Sequence, residues 1–306
     1  MINLKHIEAF HAIMRTGSVT AAARALNVTQ PAISSVLKHM ENRLNINLFD
    51  RVGGRLQPTP EAHALMPDIV GIFGRLEAIK RLTHDLAGGL LGSLSIAATS
   101  PVANGKLARL VASFIAERPG THIALQALAS PLVFDRVANR EAEVGIAYAP
   151  TVPAMNSEVT IEVLGRNSIG CVMRSDHPLA GYSEIRVSDL DDHPLITYLP
   201  QALLRPYVDR ALALAGVTPN IAVQVGLSIT GMALAYQGAG IALVELDLFE
   251  SLPLPGLVAR PLQPPIEVET LLLLHKTAPR SKLLEKFIES LRSDFKVERS
   301  TSLNTL

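Results

Sequence analysis

The stretch SVTAAARALNVTQPAISSVLKHMENRL, residues 18–44, has the pattern of two helices joined by a tight turn. Ser18 is a good N-cap for a short alanine-rich helix, and Asn27-Val28 make the turn. Thr29-Gln30-Pro31 opens the next helix, with proline in the first turn, where its missing N–H costs nothing. The small side chains of Ala22-Ala23 permit the close crossing of a helix-turn-helix.

Helical periodicity extends this motif in both directions. An earlier helix presents apolar side chains on one face and ends at Gly17; they are Leu4, Ile7, Phe10, Ile13 and Met14. The helix after the turn has a buried stripe of Ile33, Val36, Leu37, Met40 and Leu44. Its outer face carries Gln30, Ser34, Ser35, Lys38 and Glu41. Leu48-Phe49 and Leu56 bracket the turn signal Val52-Gly53-Gly54-Arg55, which predicts a short hairpin, or wing, beside that helix.

A long helix is predicted next, capped by Thr59 and starting at Pro60-Glu61. Its apolar positions at helical spacing are Leu65, Ile69, Ile72, Leu76, Ile79 and Leu86. This face could pack on its own domain. Its length and its position between two modules favour pairing with the same helix of a second chain.

From residue 92 onward, strands and helices alternate. The first series comprises a strand at Ser93–Ala98, a helix at Lys106–Glu117, a strand at Ile123–Leu128, a helix at Val133–Arg140 and a strand at Val144–Tyr148. The second has strands near Ile169–Met173, Leu195–Tyr198, Ala222–Val225, Ile241–Val244 and Val268–Leu274, with helices near Leu203–Ala215, Ile229–Gln237 and Lys282–Arg292. Such alternation predicts an α/β fold of parallel sheets with helices on both faces. Two series predict two subdomains with a cleft between them.

Charge is distributed unevenly along the chain. The formal net charge is +0, but residues 1–60 contain seven Lys or Arg against three Asp or Glu, and the remainder balances this +4 with −4. Opposite charge on two segments is typical of a small basic reader of nucleic acid joined to a neutral or acidic module.

Other functional classes find little support. The single Cys171 excludes an internal disulfide and a cysteine zinc site, and we expect it to be a buried small hydrophobe. No signal peptide or membrane-length apolar run is visible, so the sequence predicts a cytosolic protein rather than a periplasmic solute receptor. Gly238-x-Gly240 precedes a strand and indicates a helix stop, not a dinucleotide site. We expect no catalytic residue, metal or cofactor. The alternative to a reader of nucleic acid is a cytosolic small-molecule binder or enzyme whose N-terminal helices only dimerise.

Polar side chains at strand ends indicate a ligand site in the cleft. Ligands of open α/β sheets bind beyond the carboxyl ends of strands, where helix N-termini offer free N–H groups to anions. The candidates for binding a small ligand are Thr99, Ser100, Ser130, Tyr148, Tyr198, Arg205 and Ser228. Thr99, Ser100 and Ser228 could also serve only as N-caps, and Arg205 only as a surface charge. Hydroxyls and backbone donors suit a small carboxylate, and 4% aromatic residues argue against a large flat ligand.

Taken together, the head motif resembles the LysR-type transcriptional regulators. The resemblance rests on Phe10, Gly17-Ser18, Ala22-Ala23, Leu26, Gln30 to Ser34, Glu41, Leu44, Leu48-Phe49, Arg51 and Pro58-Thr59. The body resembles their effector domain through Arg118-Pro119-Gly120, Asp176-His177-Pro178-Leu179 and Gly238-Ala239-Gly240-Ile241. Residues 7–12, 54–56 and 129–132 resemble the branch that regulates lysine biosynthesis and opine or amino-acid catabolism.

The resemblance implies three parts: a winged helix-turn-helix over 1–59, a dimerising linker helix over 60–91 and a periplasmic-binding-protein-like effector domain over 92–306. Its subdomains would be 92–164 with 266–295, and 165–265. The implied partners are an operator in double-stranded DNA, a small amino-acid-like or opine-like effector, further copies of the chain as a dimer of dimers, and RNA polymerase. DNA contact is expected from Thr29, Gln30, Pro31, Ser34, Ser35, Lys38, Arg51 and Arg55. Where relatives most often have Ser-Arg, this chain has Ser34-Ser35, so that arginine's reading of guanine is absent.

Overall fold

The computed structural model describes residues 2–52, 55–88, 92–150 and 158–296. They divide into two compact units, 1–80 and 81–306. The first unit contains α1 (Leu4–Thr16), α2 (Val19–Ala25), α3 (Gln30–Leu44), the hairpin of β1 (Phe49–Val52) and β2 (Arg55–Pro58), and the first part of α4 (Pro60–Gly88).

The ends of these helices follow the predicted signals. Gly17 ends α1 with a φ of 71°, and the Ser18 hydroxyl accepts the backbone N–H of Ala21 at 3.0 Å to begin α2. Thr59 accepts the N–H of Ala62 at 3.2 Å, which caps α4 as expected. The core of the unit is formed by Phe10, Ile13, Ala22, Ala23, Ile33, Leu37, Met40 and Leu48, all buried. The three-helix head with its wing is confirmed.

Only part of the apolar face of α4 is available for pairing with a second chain, although the sequence analysis favoured pairing along the whole helix. Leu65, Ile69 and Phe73 pack on the core of the head, so these side chains already have partners. Ile72 and Ile79 are 40% and 57% exposed. Only the later part of the apolar series is therefore left for another surface.

Within its described residues, the second unit contains a nine-stranded sheet. Half one comprises β3 (Gly92–Thr99), α5 (Ser100–Asn104), α6 (Lys106–Glu117), β4 (Thr121–Leu128), α7 (Ser130–Ala138) and β5 (Val144–Tyr148). Half two comprises β8 (Pro194–Tyr198), α8 (Arg205–Leu214), β9 (Asn220–Val225), α9 (Ser228–Tyr236), β10 (Ile241–Glu245) and α10 (Leu246–Ser251). The remaining elements are β6 (Val159–Arg174), β7 (Ile185–Arg186), β11 (Leu257–His275) and α11 (Lys282–Lys296).

The main path of the sheet runs β4-β3-β5-β11-β6-β10-β8-β9, and β7 pairs with β11 outside it. Strands within each half are parallel, as predicted. Consecutive residues Ile96 and Ala97 belong to cores on opposite faces, because side chains alternate along a strand. Helices therefore cover both faces.

The sheet as a whole is mixed, which corrects the prediction of purely parallel sheets. β6 and β11 pair with each other antiparallel and cross from one half to the other. The strands predicted at Ile169–Met173 and Val268–Leu274 are only portions of these longer strands. The rest of β6 was not predicted, because residues 160–163 are all exposed and carry the polar Thr160 and Glu162 among them, so no alternating apolar pattern marks them as a strand.

The two halves also meet at α10. The Lys106 ammonium at the start of α6 lies 2.7 Å from the Asp247 carboxylate of α10, and Lys106 is only 6% exposed. A Cβ at Gly105 would lie 3.6 Å from the Cα of Leu248 and 2.8 Å from the carbonyl oxygen of Pro101. Glycine at 105 thus avoids a clash with the carbonyl oxygen of Pro101, and the Lys106–Asp247 ion pair connects α6 to α10.

Candidate functional site

The exposed face of α3 is the candidate DNA-reading surface. Thr29, Gln30, Pro31, Ser35 and Lys38 are exposed. Ser34 is half-buried, and its hydroxyl oxygen accepts a hydrogen bond from the Gln30 carboxamide at 3.0 Å. The two side chains therefore hold one another in place, which pre-orients the carboxamide of Gln30 at the start of the helix.

The wing is fixed to α3 by a residue that the sequence analysis assigned to the outer face. The Glu41 carboxylate accepts the backbone N–H groups of Leu48 at 2.8 Å and Phe49 at 3.2 Å. Glu41 therefore positions the first strand of the wing and is not part of a free helix face. Arg51 and Arg55 lie in β1 and β2, and their side chains lie outside the described residues.

A cavity of about 510 Å³ opens where the two halves of the sheet meet. Its walls come from the carboxyl ends of β3, β4, β5, β8 and β10 and from the segments that follow them. The lining residues of half one are Thr99, Ser100, Pro101, Leu128, Ala129, Ser130, Pro131, Tyr148 and Pro150. Those of half two are Tyr198, Pro200, Gln201, Ala202, Leu203, Leu204, Pro206, Gly226, Leu227, Ser228 and Glu245. The volume suits a small metabolite.

The structure brings most of the predicted effector residues together at this cavity: Thr99, Ser100, Ser130, Tyr148, Tyr198 and Ser228. Ser130 and Ser228 are the first residues of α7 and α9, and neither helix has a side-chain N-cap hydrogen bond. The helix starts therefore direct hydroxyls and backbone N–H groups toward the cavity, as the strand-end argument predicts.

Arg205 is the exception, because it does not line the cavity. Its guanidinium donates to the carbonyl oxygen of Tyr198 at 2.8 Å and to the carboxylate of Asp209 at 2.6 Å. These contacts tie the start of α8 to the end of β8. The prediction of Arg205 as a charged clamp for the ligand does not match this geometry.

Several buried polar atoms at the cavity have no hydrogen-bond partner within the described part of the chain. They are Thr99 Oγ1, the Tyr198 hydroxyl and both carboxylate oxygens of Glu245. Tyr148 differs, because its hydroxyl accepts a hydrogen bond from the Asn167 amide at 2.9 Å. Buried polar groups are normally paired, so this concentration of unpaired ones indicates a place for a bound molecule.

Glu245 also lines the cavity and was not among the residues that the sequence analysis selected. It ends β10, is 0% exposed and is a member of a strand paired on both sides. Burial raises the pKa of its carboxyl to about 7, while the neighbouring hydroxyls of Ser228 and Tyr198 act in the opposite direction. The strand-end argument that selected Tyr198 would have found Glu245 had it been applied to acidic residues as well.

Other candidate features are structural. Cys171 is buried in β6, and burial raises the pKa of its thiol. Among residues 2–52, 55–88, 92–150 and 158–296, no three histidine, cysteine or acidic side chains form a cluster suited to a metal ion. None of the helices within these ranges is long and apolar enough to span a membrane.

Each of the two units matches a known protein family. Residues 4–63 match the family described as bacterial regulatory helix-turn-helix protein, lysR family, and residues 87–296 match the LysR substrate binding domain. Regulatory protein NocR of Agrobacterium fabrum is 29% identical over 291 residues, covering 94% of this chain and 95% of that protein. The octopine catabolism/uptake operon regulatory protein OccR of Rhizobium meliloti is 33% identical over 244 residues, 80% of each chain.

Solved structures have the same fold. The crystal structure of CbnR, a LysR family transcriptional regulator, matches with a TM-score of 0.70 at 19% identity, over 96% of this chain and 99% of that one. Full-length CbnR complexed with its target DNA gives a TM-score of 0.69. With the helix-turn-helix head, the effector-domain cavity and both family matches, the chain belongs to the LysR family of DNA-binding transcriptional regulators that carry an effector-binding domain.

Proposed function

We propose that this regulator reads its operator with the exposed face of α3 and with the wing, and that a small amino-acid-like or opine-like carboxylate controls it from the cavity. The observation that carries the effector assignment is the 510 Å³ cavity with unpaired buried polar atoms at the meeting strand ends. The name of the octopine catabolism/uptake operon regulatory protein OccR supports an opine-like effector. The proposal also includes a cytoplasmic location and RNA polymerase as a partner at the promoter.

The DNA-reading roles are divided by chemistry. Gln30 can bond bidentately to adenine, and the Ser34 and Ser35 hydroxyls can bond several base edges. Lys38, Arg51 and Arg55 suit phosphates or the minor groove, while Thr29 and Pro31 shape the approach at the helix start. The basic charge of residues 1–60 supports this assignment.

Replacing Gln30 by alanine should remove sequence discrimination. We expect a loss of roughly 1–3 kcal/mol on the specific operator and little change on random DNA, because a base contact is lost while phosphate contacts remain. Fluorescence anisotropy with both duplexes measures the two affinities. Asn42→Ala is the matched control, since Asn42 is an exposed amide about three turns further along α3.

If Gln30→Ala left operator preference intact, the proposed orientation of α3 would be wrong. Lys38→Ala should instead weaken binding to both duplexes and reduce its salt dependence. For the unaltered protein, affinity should fall on the order of 10³-fold from 50 to 200 mM salt. A protein that bound no duplex containing its true site at low salt would favour the alternative in which the head only dimerises.

A small carboxylate effector should raise the melting temperature by mass action. Ser100 lines the cavity in half one, so Ser100→Ala should reduce that rise while DNA binding stays measurable. Ser183→Ala, at an exposed serine outside the cavity, is the control. Binding of neutral aromatic or nucleotide compounds alone would refute the carboxylate class.

A further inference from the structure

The carboxyl group of Glu245 is a buried ionisable group in the wall of the cavity. Glu245 is 0% exposed, and neither of its oxygens has a hydrogen-bond partner in the described part of the chain. Its backbone is fixed, because β10 pairs with β6 on one side and with β8 on the other. The carboxyl group therefore cannot leave the cavity wall by a small movement of a loop.

The surroundings of Glu245 do not supply a positive charge. Its neighbours are the hydroxyls of Tyr198 and Ser228, the Tyr148 phenol and the carboxylate of Asp247. Asp247 lies 2.7 Å from the Lys106 ammonium, which places that cation in an existing ion pair. The lining described for the cavity contains no lysine, arginine or histidine. A buried carboxylate is costly unless a charge or hydrogen bonds compensate it.

The cavity therefore has two chemically different sides. In half one, Ser100, Ser130 and the first turn of α7 present hydroxyl and N–H donors, which suit an anion. In half two, Glu245 presents an acceptor that gains most from a cationic donor. A molecule with a carboxylate at one end and a positive charge at the other fits both sides.

We propose that Glu245 receives a positively charged nitrogen of the effector, an ammonium or a guanidinium, so that the effector is a zwitterion or a net cation and not a simple carboxylate. This inference rests on the proposed function of the cavity as the effector site. It makes Glu245 a specificity-determining residue, because a ligand without the cation would leave this buried carboxylate without a counter-charge.

Paired ligands test the inference on the full chain. One pair is arginine and citrulline, which differ in a side-chain guanidinium against a neutral urea of similar shape. Other pairs are amino acids and the 2-hydroxy acids with the same side chains, which isolate the α-ammonium. The remaining common amino acids and dicarboxylates such as glutarate complete the panel. Thermal shift identifies the ligands, and titration calorimetry measures their affinities.

We expect the cationic member of at least one pair to bind and its neutral partner to bind at least about thirtyfold more weakly. Glu245→Gln, which keeps the shape of the side chain, should abolish this preference and improve binding of the neutral member. Glu184→Gln is the matched control, because Glu184 is an exposed carboxylate of the same unit outside the cavity. A cooperative thermal unfolding transition without ligand, followed by circular dichroism, shows that the effector domain of the Glu245→Gln variant is folded.

The pH dependence gives an independent readout. Burial raises the pKa of Glu245 to about 7. At neutral pH a fraction of the molecules therefore carries a protonated Glu245, and this proton must leave when the cation binds. Arginine keeps its guanidinium charge from pH 6 to pH 8, and its affinity should rise about tenfold over this range. The Glu245→Gln variant should lose this rise, since the tyrosines nearby have raised pKa values and stay neutral.

Two outcomes overturn the inference: no cationic carboxylate in the panel binds, or the cationic and neutral members bind alike. If dicarboxylates or 2-hydroxy acids bind in preference, Glu245 does not select a cation, and the carboxylate effector of the proposed function remains. If no carboxylate of any kind binds while operator binding is intact, the proposed effector class fails as well. The two failures are thus distinguishable.

Discussion

Replacing Gly240 by alanine should destabilise the effector domain by about 2–6 kcal/mol. Gly240 has a φ of 138°, and a Cβ there would lie 2.2 Å from the carbonyl oxygen of Pro194 and 2.8 Å from its carbonyl carbon. A backbone conformation closed to alanine costs about 1–3 kcal/mol, and overpacking costs about 1–3 kcal/mol more. The clash is with backbone, so no side chain can rotate to relieve it.

The expected damage is local to half two. Ile241, the next residue, pairs with Leu195, so any shift of Pro194 disturbs the start of both β8 and β10. Thermal unfolding of the full chain, followed by circular dichroism, measures the effect. Gly181→Ala is the control, because a Cβ added at Gly181 would meet no atom within 4 Å, and it should change stability by less than about 0.5 kcal/mol. Equal melting temperatures for the two variants would contradict the argument.

Replacing Leu76 and Ile79 together by aspartate should separate the copies of the regulator. Ile72, Leu76 and Ile79 recur at helical spacing on α4; Ile72 and Ile79 are exposed, and Leu76 is half-buried. Because the earlier apolar residues pack on the head, these three form the face proposed to pair with a second copy. Two carboxylates in an apolar interface cost several kcal/mol.

Operator binding should weaken about a hundredfold or more, since two linked heads hold two half-sites far better than one head holds one. Analytical ultracentrifugation should show monomers. Ala64→Asp is the control, because Ala64 is an exposed position earlier on the same helix. Unchanged oligomers would place the interface elsewhere, most plausibly between effector domains.

Local signals in the sequence predicted the head almost completely. The N-caps at Ser18 and Thr59, the helix stop at Gly17 and the buried stripe of α3 all depend on residues close to one another in the chain. The contact of Glu41 with the wing was not predicted, because its partners Leu48 and Phe49 are seven and eight residues away and lie outside α3. Periodicity assigns a face to such a residue but cannot name its hydrogen-bond partner.

In the effector domain, too, the sequence predicts where a residue lies more reliably than which partner it contacts. Residues such as Ser130 and Tyr198 were predictable, because a strand end places its side chain at the sheet edge where ligands bind. The position of Arg205 was not predictable in this way, since its guanidinium donates hydrogen bonds to the carbonyl oxygen of Tyr198 and to the carboxylate of Asp209. Glu245 follows the predicted strand at Ile241–Val244, so the same argument could have selected its position, but its complete burial is known only from the structure.

The two long strands determine how the effector domain can deform. Among the described strands of the main sheet path, β6 and β11 run through both halves, and their ladder changes register between Pro261 and Ile266 and again between Thr270 and Leu271. Each half is otherwise stiffened by its own parallel strands and helices. The halves also share one hydrophobic core and the contact between α6 and α10. We therefore expect any change in the angle between them to repack that core and to concentrate its twist where the ladder is irregular. A molecule that contacts both halves should therefore favour one angle between them over the others.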